Sequence, residues 1–245
     1  MTGTRNRHPI ATVCYVLLDS LFLIGWHARG LRLRNSRVRN RVRYPADPIL
    51  MLPGVYESPH FLDPLAAVLR RSGRPVYTVP ELVRNRAPIL DTARSVRTFL
   101  ERADLTGVTI VAHSKGGLVG KQLMVWPETS HRVRSMIAIA TPFAGSRYAK
   151  RAPTRVLRDF DPADRVLLEL AANSDANARI VSVFGRFDPQ IPDGSRLDGA
   201  RNVISPVGGH FRLLARPGVH RLISSLIEDE VSDGRVGAKG LSGSR

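Results

Sequence analysis

The chain has a single cysteine, Cys14, in 245 residues, and that scarcity removes two classes of protein at once. An internal disulfide framework needs paired thiols, and a Cys-based zinc cluster needs several in register. Cys14 lies in an apolar run and reads as a small buried residue rather than a reactive thiol. No set of His, Cys and carboxylate residues takes metal-ligand spacing. Lysine is nearly as scarce. Lys115, Lys121, Lys150 and Lys239 are the only ones, so the formal charge of +16 is carried almost wholly by arginine. Aromatics make up 6% of the chain, and they are not interleaved with the basic clusters as base-stacking platforms would be. With no nucleic-acid-binding motif alongside the charge, nucleic acid is not an expected partner. Repeats and low-complexity linkers are missing from the middle of the chain.

What is present suits one domain of catalytic size. The length and a hydrophobic content of 43% allow a sizeable core. The expected division is a catalytic domain over residues 45–230, flanked by residues 1–44 and by a Gly/Ser-rich tail, residues 231–245, without fixed structure. Within the first flank, Pro9 to Ala28 reads PIATVCYVLLDSLFLIGWHA, about the length a membrane-crossing helix needs. Asp19 near its centre costs about 2.5–3.5 kcal/mol on an insertion scale, and the surrounding Leu, Ile, Phe and Val residues roughly offset it. A membrane anchor or membrane-surface helix is the favoured reading. A cleaved export signal fits less well, because no small-x-small site follows the run. Arg29, Arg32, Arg34, Arg37, Arg39, Arg41 and Arg43 come next, so residues 9–43 are expected to meet an anionic membrane surface, unless the arginines are only a solvated linker. Their density after the run would keep the catalytic domain cytoplasmic under the positive-inside rule.

Beyond Tyr44, short β-branched runs alternate with longer segments of helical periodicity, the signature of βαβ units around a parallel sheet. Strands are expected at Ile49–Leu52, Val76–Val79, Val108–Ala112, Ser135–Ala140, Ile180–Phe184 and Asn202–Ser205. Helices are expected near Phe61–Arg71, Pro88–Arg102, Lys115–Trp126, Pro162–Ala172 and Phe211–Glu228. Right-handed crossovers then put the functional loops at the carboxyl ends of the strands.

The chemistry-bearing residues fall at those ends. In Val108-Thr-Ile-Val-Ala-His-Ser-Lys-Gly-Gly-Leu118, a strand runs straight into Ser114 and a helix begins at once. Small neighbours, Ala112 and Gly116, are what so tight a turn requires, although the strict pattern has Gly where Ala112 stands. The turn lifts the hydroxyl above the sheet and aims the Lys115 N–H at the oxyanion that attack would create. A serine hydroxyl needs a base, and the base needs an orienting acid. Asp188, at the end of a buried strand, and His210, after Gly-Gly and before the last helix, supply them in the order Ser, acid, His. Asp193 and Asp161 are rival acids. Among the histidines, His60 is the nearest rival as base, His113 points away from Ser114 by strand alternation, and His131 and His220 read as surface positions. A second oxyanion donor is expected from Val55, in Leu52-Pro-Gly-Val-Tyr-Glu-Ser58. Tyr56, Phe143 and Phe211, with the Lys115 side chain, are candidates for lining the acyl site.

Together, Leu52-Pro-Gly-Val, Ala-His-Ser-Lys-Gly-Gly, Ala140-Thr-Pro-Phe-Ala-Gly-Ser146, Phe184-Gly-Arg-Phe-Asp188 and Gly-Gly-His210 resemble the bacterial lipase/esterase branch of the α/β-hydrolase superfamily. The resemblance covers about Arg43 to Glu230. It implies an α/β-hydrolase fold, a mostly parallel sheet with helices on both faces. Residues between Phe143 and Leu170 leave room for only a small cap. Pro53 stands where that branch usually has His, but donation at the next position but one is by backbone. The resemblance further implies a serine hydrolase acting on a small-molecule or lipid ester through an acyl-enzyme, without a cofactor. A thioesterase or acyltransferase would use the same three residues, and a membrane-tethered, non-catalytic binding protein would keep the fold without the reaction.

Overall fold

A computed structural model describes residues 48–240, and the side chains of residues 230–240 are not described. The apolar run of residues 9–28 and the arginine cluster that follows it lie outside the described residues, as do the last five residues of the expected tail. Among the described residues, no helix is long and apolar enough to cross a membrane.

Six strands form one sheet: β1 (Ile49–Leu52), β2 (Val76–Thr78), β3 (Val108–His113), β4 (Val133–Ile139), β5 (Ile180–Gly185) and β6 (Arg201–Ser205). Their order is β2-β1-β3-β4-β5-β6, and every neighbouring pair is parallel. The five main helices are α1 (Asp63–Arg71), α2 (Ile89–Arg102), α3 (Lys115–Val125), α4 (Arg165–Ala172) and α5 (Pro217–Gly240).

Strand alternation divides the core into two layers. Leu50, Leu52, Ile110 and Ala112 face one side with Val96 and Leu100 of α2, Leu118 and Leu123 of α3, and Leu167 of α4. Ile49, Met51 and Val111 face the other with Leu65 and Leu69 of α1 and Ile223 and Leu226 of α5. Successive side chains of a strand point to opposite faces, so runs such as Ile49–Leu52 must be apolar at every position when both faces are covered. This is why the central strands read as near-continuous apolar stretches, whereas the edge strand β6, with Arg201 and Ile204 exposed, does not.

The last helix differs from expectation at both ends. Arg212–Ala215 form a separate 3-10 turn, and α5 begins at Pro217, whose missing N–H and fixed φ suit the first helical position. It then continues to Gly240, into the stretch read as tail. No proline interrupts that stretch, and propagating a helix already nucleated costs less than starting one.

Candidate active site

Ser114 sits between β3 and α3 with φ 51° and ψ −120°, a region a non-glycine residue enters only under strain. The surroundings hold it there. The Ser114 N–H donates to the Ile139 carbonyl at 2.9 Å, extending the β3–β4 ladder into the turn, and the Gly117 N–H donates to the Ser114 carbonyl at 3.0 Å. Gly116 explains the small residue after the serine. A Cβ there would stand 2.3 Å from the Leu52 carbonyl oxygen and 3.0 Å from that of Pro53, both backbone atoms that cannot swing aside. Ala112, the departure from the strict pattern, is fully buried in β3 opposite Leu52 and Ala138, and its methyl group joins the core.

His210 and Asp188 come from the loops that follow β6 and β5. His210 Nδ1 lies 2.8 Å from Asp188 Oδ2, with both side chains 5% exposed. The other carboxylate oxygen, Oδ1, accepts the N–H groups of Gln190 at 2.8 Å and Ile191 at 3.1 Å. Burial by itself would raise the pKa of Asp188. The positive charge and hydrogen bond of His210, with the two backbone donors, outweigh it and hold the carboxyl below its ordinary value. An ionised acid that accepts from Nδ1 leaves Nε2 as the proton-accepting nitrogen. The two loops are joined directly. Gly209 N–H donates to the Phe187 carbonyl at 2.8 Å, and a Cβ on Gly185 would lie 2.6 Å from the Val207 carbonyl oxygen.

Ser114 and His210 line one cavity of about 320 Å³. Its remaining wall comes from three places: Val55, Tyr56 and Glu57 of the loop after β1, Pro142 to Phe160 of the segment after β4, and Gln190, Ile191 and Phe211. The short elements of that segment, Ala149–Arg151 and Arg155–Arg158, form the small cap expected, with Ala149, Ala152, Leu157 and Phe160 turned to the cavity. Val55 borders the cavity and Lys115 opens α3, whose first N–H groups have no acceptor within the helix.

The structure therefore brings Ser114, Asp188, His210, Val55, Tyr56, Phe211 and the Lys115 backbone together. It separates others. Phe143 is 6% exposed and packs in the core with residues of α3 and α4, because the turn after Thr141 directs it into the protein and leaves Pro142 at the cavity. The Lys115 side chain also leaves the site. Its Nζ donates to Asn85 O and Oδ1, both at 3.0 Å, to Thr92 Oγ1 at 3.3 Å and to the Ala87 carbonyl. Desolvation lowers its pKa to about 8, against an opposing pull from Asp159. His60 is exposed beside Asp63, 3.1 Å away. Asp193 pairs with Arg147, and Asp161 accepts the Ala163 N–H at 3.0 Å, so neither rival acid reaches the histidine. His220 is buried, not superficial, with Nε2 2.6 Å from the Leu214 carbonyl.

Sequence reasoning missed one pair. Glu57 and His113 are 1% and 0% exposed, and Glu57 Oε1 lies 2.6 Å from His113 Nδ1. The signal was a lone acid in the short loop after β1 and a histidine ending a fully buried, mainly apolar strand. Among the described residues, no three His, Cys, Asp or Glu side chains are grouped so as to hold a metal ion.

No family model matches this chain, and no curated protein matches its sequence. Solved structures do match. The mature lipase BlEst2 of Bacillus licheniformis superposes with a TM-score of 0.59 at 15% identity, over 76% of this chain and 95% of that one. Lipase B of Aspergillus fumigatus gives 0.61 at 15% identity, over 79% and 55%. A monoacylglycerol lipase of Paleococcus ferrophilus gives 0.54 at 14% identity, over 77% and 97%. At such identities the likeness is one of fold.

Proposed function

The chain has the α/β-hydrolase fold, and from the site it carries we propose that it is a serine hydrolase cleaving carboxylic esters through an acyl-enzyme. The observation that carries this reading is the pairing of His210 Nδ1 with a buried, ionised Asp188 in the cavity that a strained Ser114 also lines. His210 Nε2 takes the Ser114 proton as Oγ attacks the ester carbonyl, and Asp188 stabilises the imidazolium. The N–H groups of Val55 and Lys115 hold the oxyanion. His210 then protonates the leaving alcohol, and in the second half it activates the water that releases the acid. Ser114 and His210 end as they began, so the scheme calls on no cofactor.

The acyl group lies against Ala149, Ala152, Leu157, Phe160 and Ile191, side chains that favour an apolar chain over a charged one. A small alcohol and one belonging to a lipid leave through the same proton transfer. The test is a p-nitrophenyl ester series of increasing acyl length, run on the wild type and Ser114→Ala beside labelling with a fluorophosphonate. Hydrolysis and labelling of the wild type are expected, with turnover down by at least about a thousandfold in the variant. Equal labelling of the two proteins would remove Ser114 as nucleophile. No labelling of the wild type would favour a binding protein.

A further inference from the structure

Behind the catalytic histidine lies a second histidine–carboxylate pair that the reaction scheme leaves unused. His113 Nδ1 is 2.6 Å from Glu57 Oε1, and His113 Nε2 is 3.2 Å from the backbone carbonyl of His210. The other Glu57 oxygen, Oε2, accepts the Gly54 N–H at 2.6 Å. The His113 ring is stacked on Phe61 at 6.3 Å between centroids and lies 4.8 Å from the His210 ring. Both side chains are buried.

The donors and acceptors fix where the hydrogens are. A carbonyl only accepts, so His113 Nε2 carries a hydrogen. At 2.6 Å, Nδ1 and Oε1 must share another, because two lone pairs at that distance repel. The chain from Gly54 N–H through Glu57 and His113 to His210 O is then complete.

That chain joins three parts of the site. Glu57 closes the turn Gly54–Glu57 on itself: its side chain holds the Gly54 N–H, and its own N–H reaches the Gly54 carbonyl at 3.3 Å. Inside this turn sits the Val55 peptide, with Tyr56 at φ 63°. A short Gly-containing turn without this clasp could rotate that peptide and take the Val55 N–H away from the oxyanion. The far end of the chain holds the backbone of His210, and His113 immediately precedes Ser114.

We infer that Glu57 and His113 are positioning residues that lock the Val55 oxyanion turn, the nucleophile elbow and the backbone of His210 into one arrangement through a shared proton. This rests on the acyl-transfer reading above. The function lies in reach and hydrogen bonding rather than in the charge of Glu57, and two substitutions separate these. In Glu57→Gln the amide oxygen can accept from Gly54 and the amide nitrogen can donate to a neutral His113, which still donates Nε2–H to His210. Glu57→Asp keeps the charge but is one methylene too short to span both partners.

The measurement is kcat and KM on a p-nitrophenyl ester for the full-length protein and both variants. Expected is a kcat for Glu57→Asp that falls about tenfold or more, part of the roughly hundredfold or larger loss that removing an oxyanion donor outright costs, with KM changed less than about twofold. Glu57→Gln is expected to turn over about tenfold faster than Glu57→Asp. Equal kcat for Asp and wild type, or a Gln variant no better than Asp, overturns the inference. Should Glu57→Asp fail to fold, proton NMR of the wild type decides. Two downfield imidazole N–H resonances are expected, one from each pair, with one lost in Glu57→Gln, and a single resonance in the wild type overturns the inference. A wild type that neither hydrolyses esters nor takes a fluorophosphonate would instead remove the reading beneath it.

Discussion

The elbow at the carboxyl end of β3 and the cap above it border the same cavity, yet they are built on opposite principles. Around Ser114 the turn itself is held by backbone: Ile139 holds the serine N–H, Gly116 lies against the Leu52 and Pro53 carbonyls, and the first ten residues of α3 are buried, with the Glu57–His113 side-chain pair braced behind it. The cap folds on its own local backbone turns and is fastened to the rest of the site by side chains. Arg147 pairs with Asp193, Ser146 Oγ donates to the Gln190 carbonyl at 3.1 Å, and the Tyr56 hydroxyl meets Thr154 Oγ1 at 2.8 Å. Tyr148 on the cap is 60% exposed. At the turn, geometry is fixed largely by atoms that a substitution does not exchange. At the cap it is fixed in larger part by atoms that a substitution does exchange.

The comparison breaks most visibly at the acid. Asp188→Asn leaves the backbone donors Gln190 and Ile191 facing an amide and lets His210 adopt the wrong tautomer, so kcat should fall on the order of a thousandfold or more while the fold persists. Steady-state kinetics with circular dichroism checks both halves. Because the Asp188 pKa is lowered in the folded state, its ionisation adds stability that is present above its unfolded value. That stability is lost as pH falls through the lower folded value. The acid limb of the wild-type stability curve should therefore flatten in Asp188→Asn, as read by urea unfolding.

The elbow itself is tested by Gly116→Val. Its Cβ would overlap backbone at Leu52, so either β1 or α3 must move, at a cost of about 1–3 kcal/mol or more, with loss of activity in whatever folds. Thermal unfolding reads the first effect. A cap substitution of equal volume change should cost less, and parity between the two would erase the contrast.

Lys115 carries the elbow's charge inward, and its pH dependence has a definite sign. Desolvation lowers its folded pKa to about 8 from 10.5, so the folded protein sheds this proton before the unfolded chain does. The cost of burying the ammonium is fully present below pH 8. Stability then rises with pH between about 8 and 10.5, because the unfolded chain binds more protons there. Lys121, lowered to about 8 by burial, adds in the same direction. Lys115→Met should keep only the Lys121 share of that rise, as denaturant midpoints at pH 7 and 10 would show.

The same contrast decides how much the sequence could say. All six strands were legible, the inner ones because a doubly covered strand writes its burial into nearly every residue, and so was the tight turn at Ser114, which forces small neighbours. Loops write nothing comparable. Phe143 and Pro142 are adjacent, and only the turn decides that the phenyl ring enters the core while the proline meets the cavity. Glu57 and His113 stand far apart in the chain, and each reads as a surface acid or a strand residue until β1 and β3 are paired. His220 shows the same gap: its place on α5 suggested surface, and its bond to Leu214 exists because the 3-10 turn before Pro217 folds back over it.

The smallest effect belongs to the cap. Leu157 borders the cavity and packs against the core beneath it. Leu157→Ala removes apolar atoms from the acyl wall without touching the elbow, so the preferred p-nitrophenyl ester should lengthen by one or two carbons. The kcat/KM ratio between neighbouring chain lengths should shift by about tenfold, the lower end of the roughly 10–200-fold, or about 1–3 kcal/mol, that a methylene in an apolar pocket is worth. The rate of fluorophosphonate labelling should change little, because a small probe reports on Ser114 and its oxyanion donors rather than on the acyl wall. A labelling rate that falls with Leu157→Ala would mean that the cap helps to set the elbow after all, and that the two regions are mechanically one.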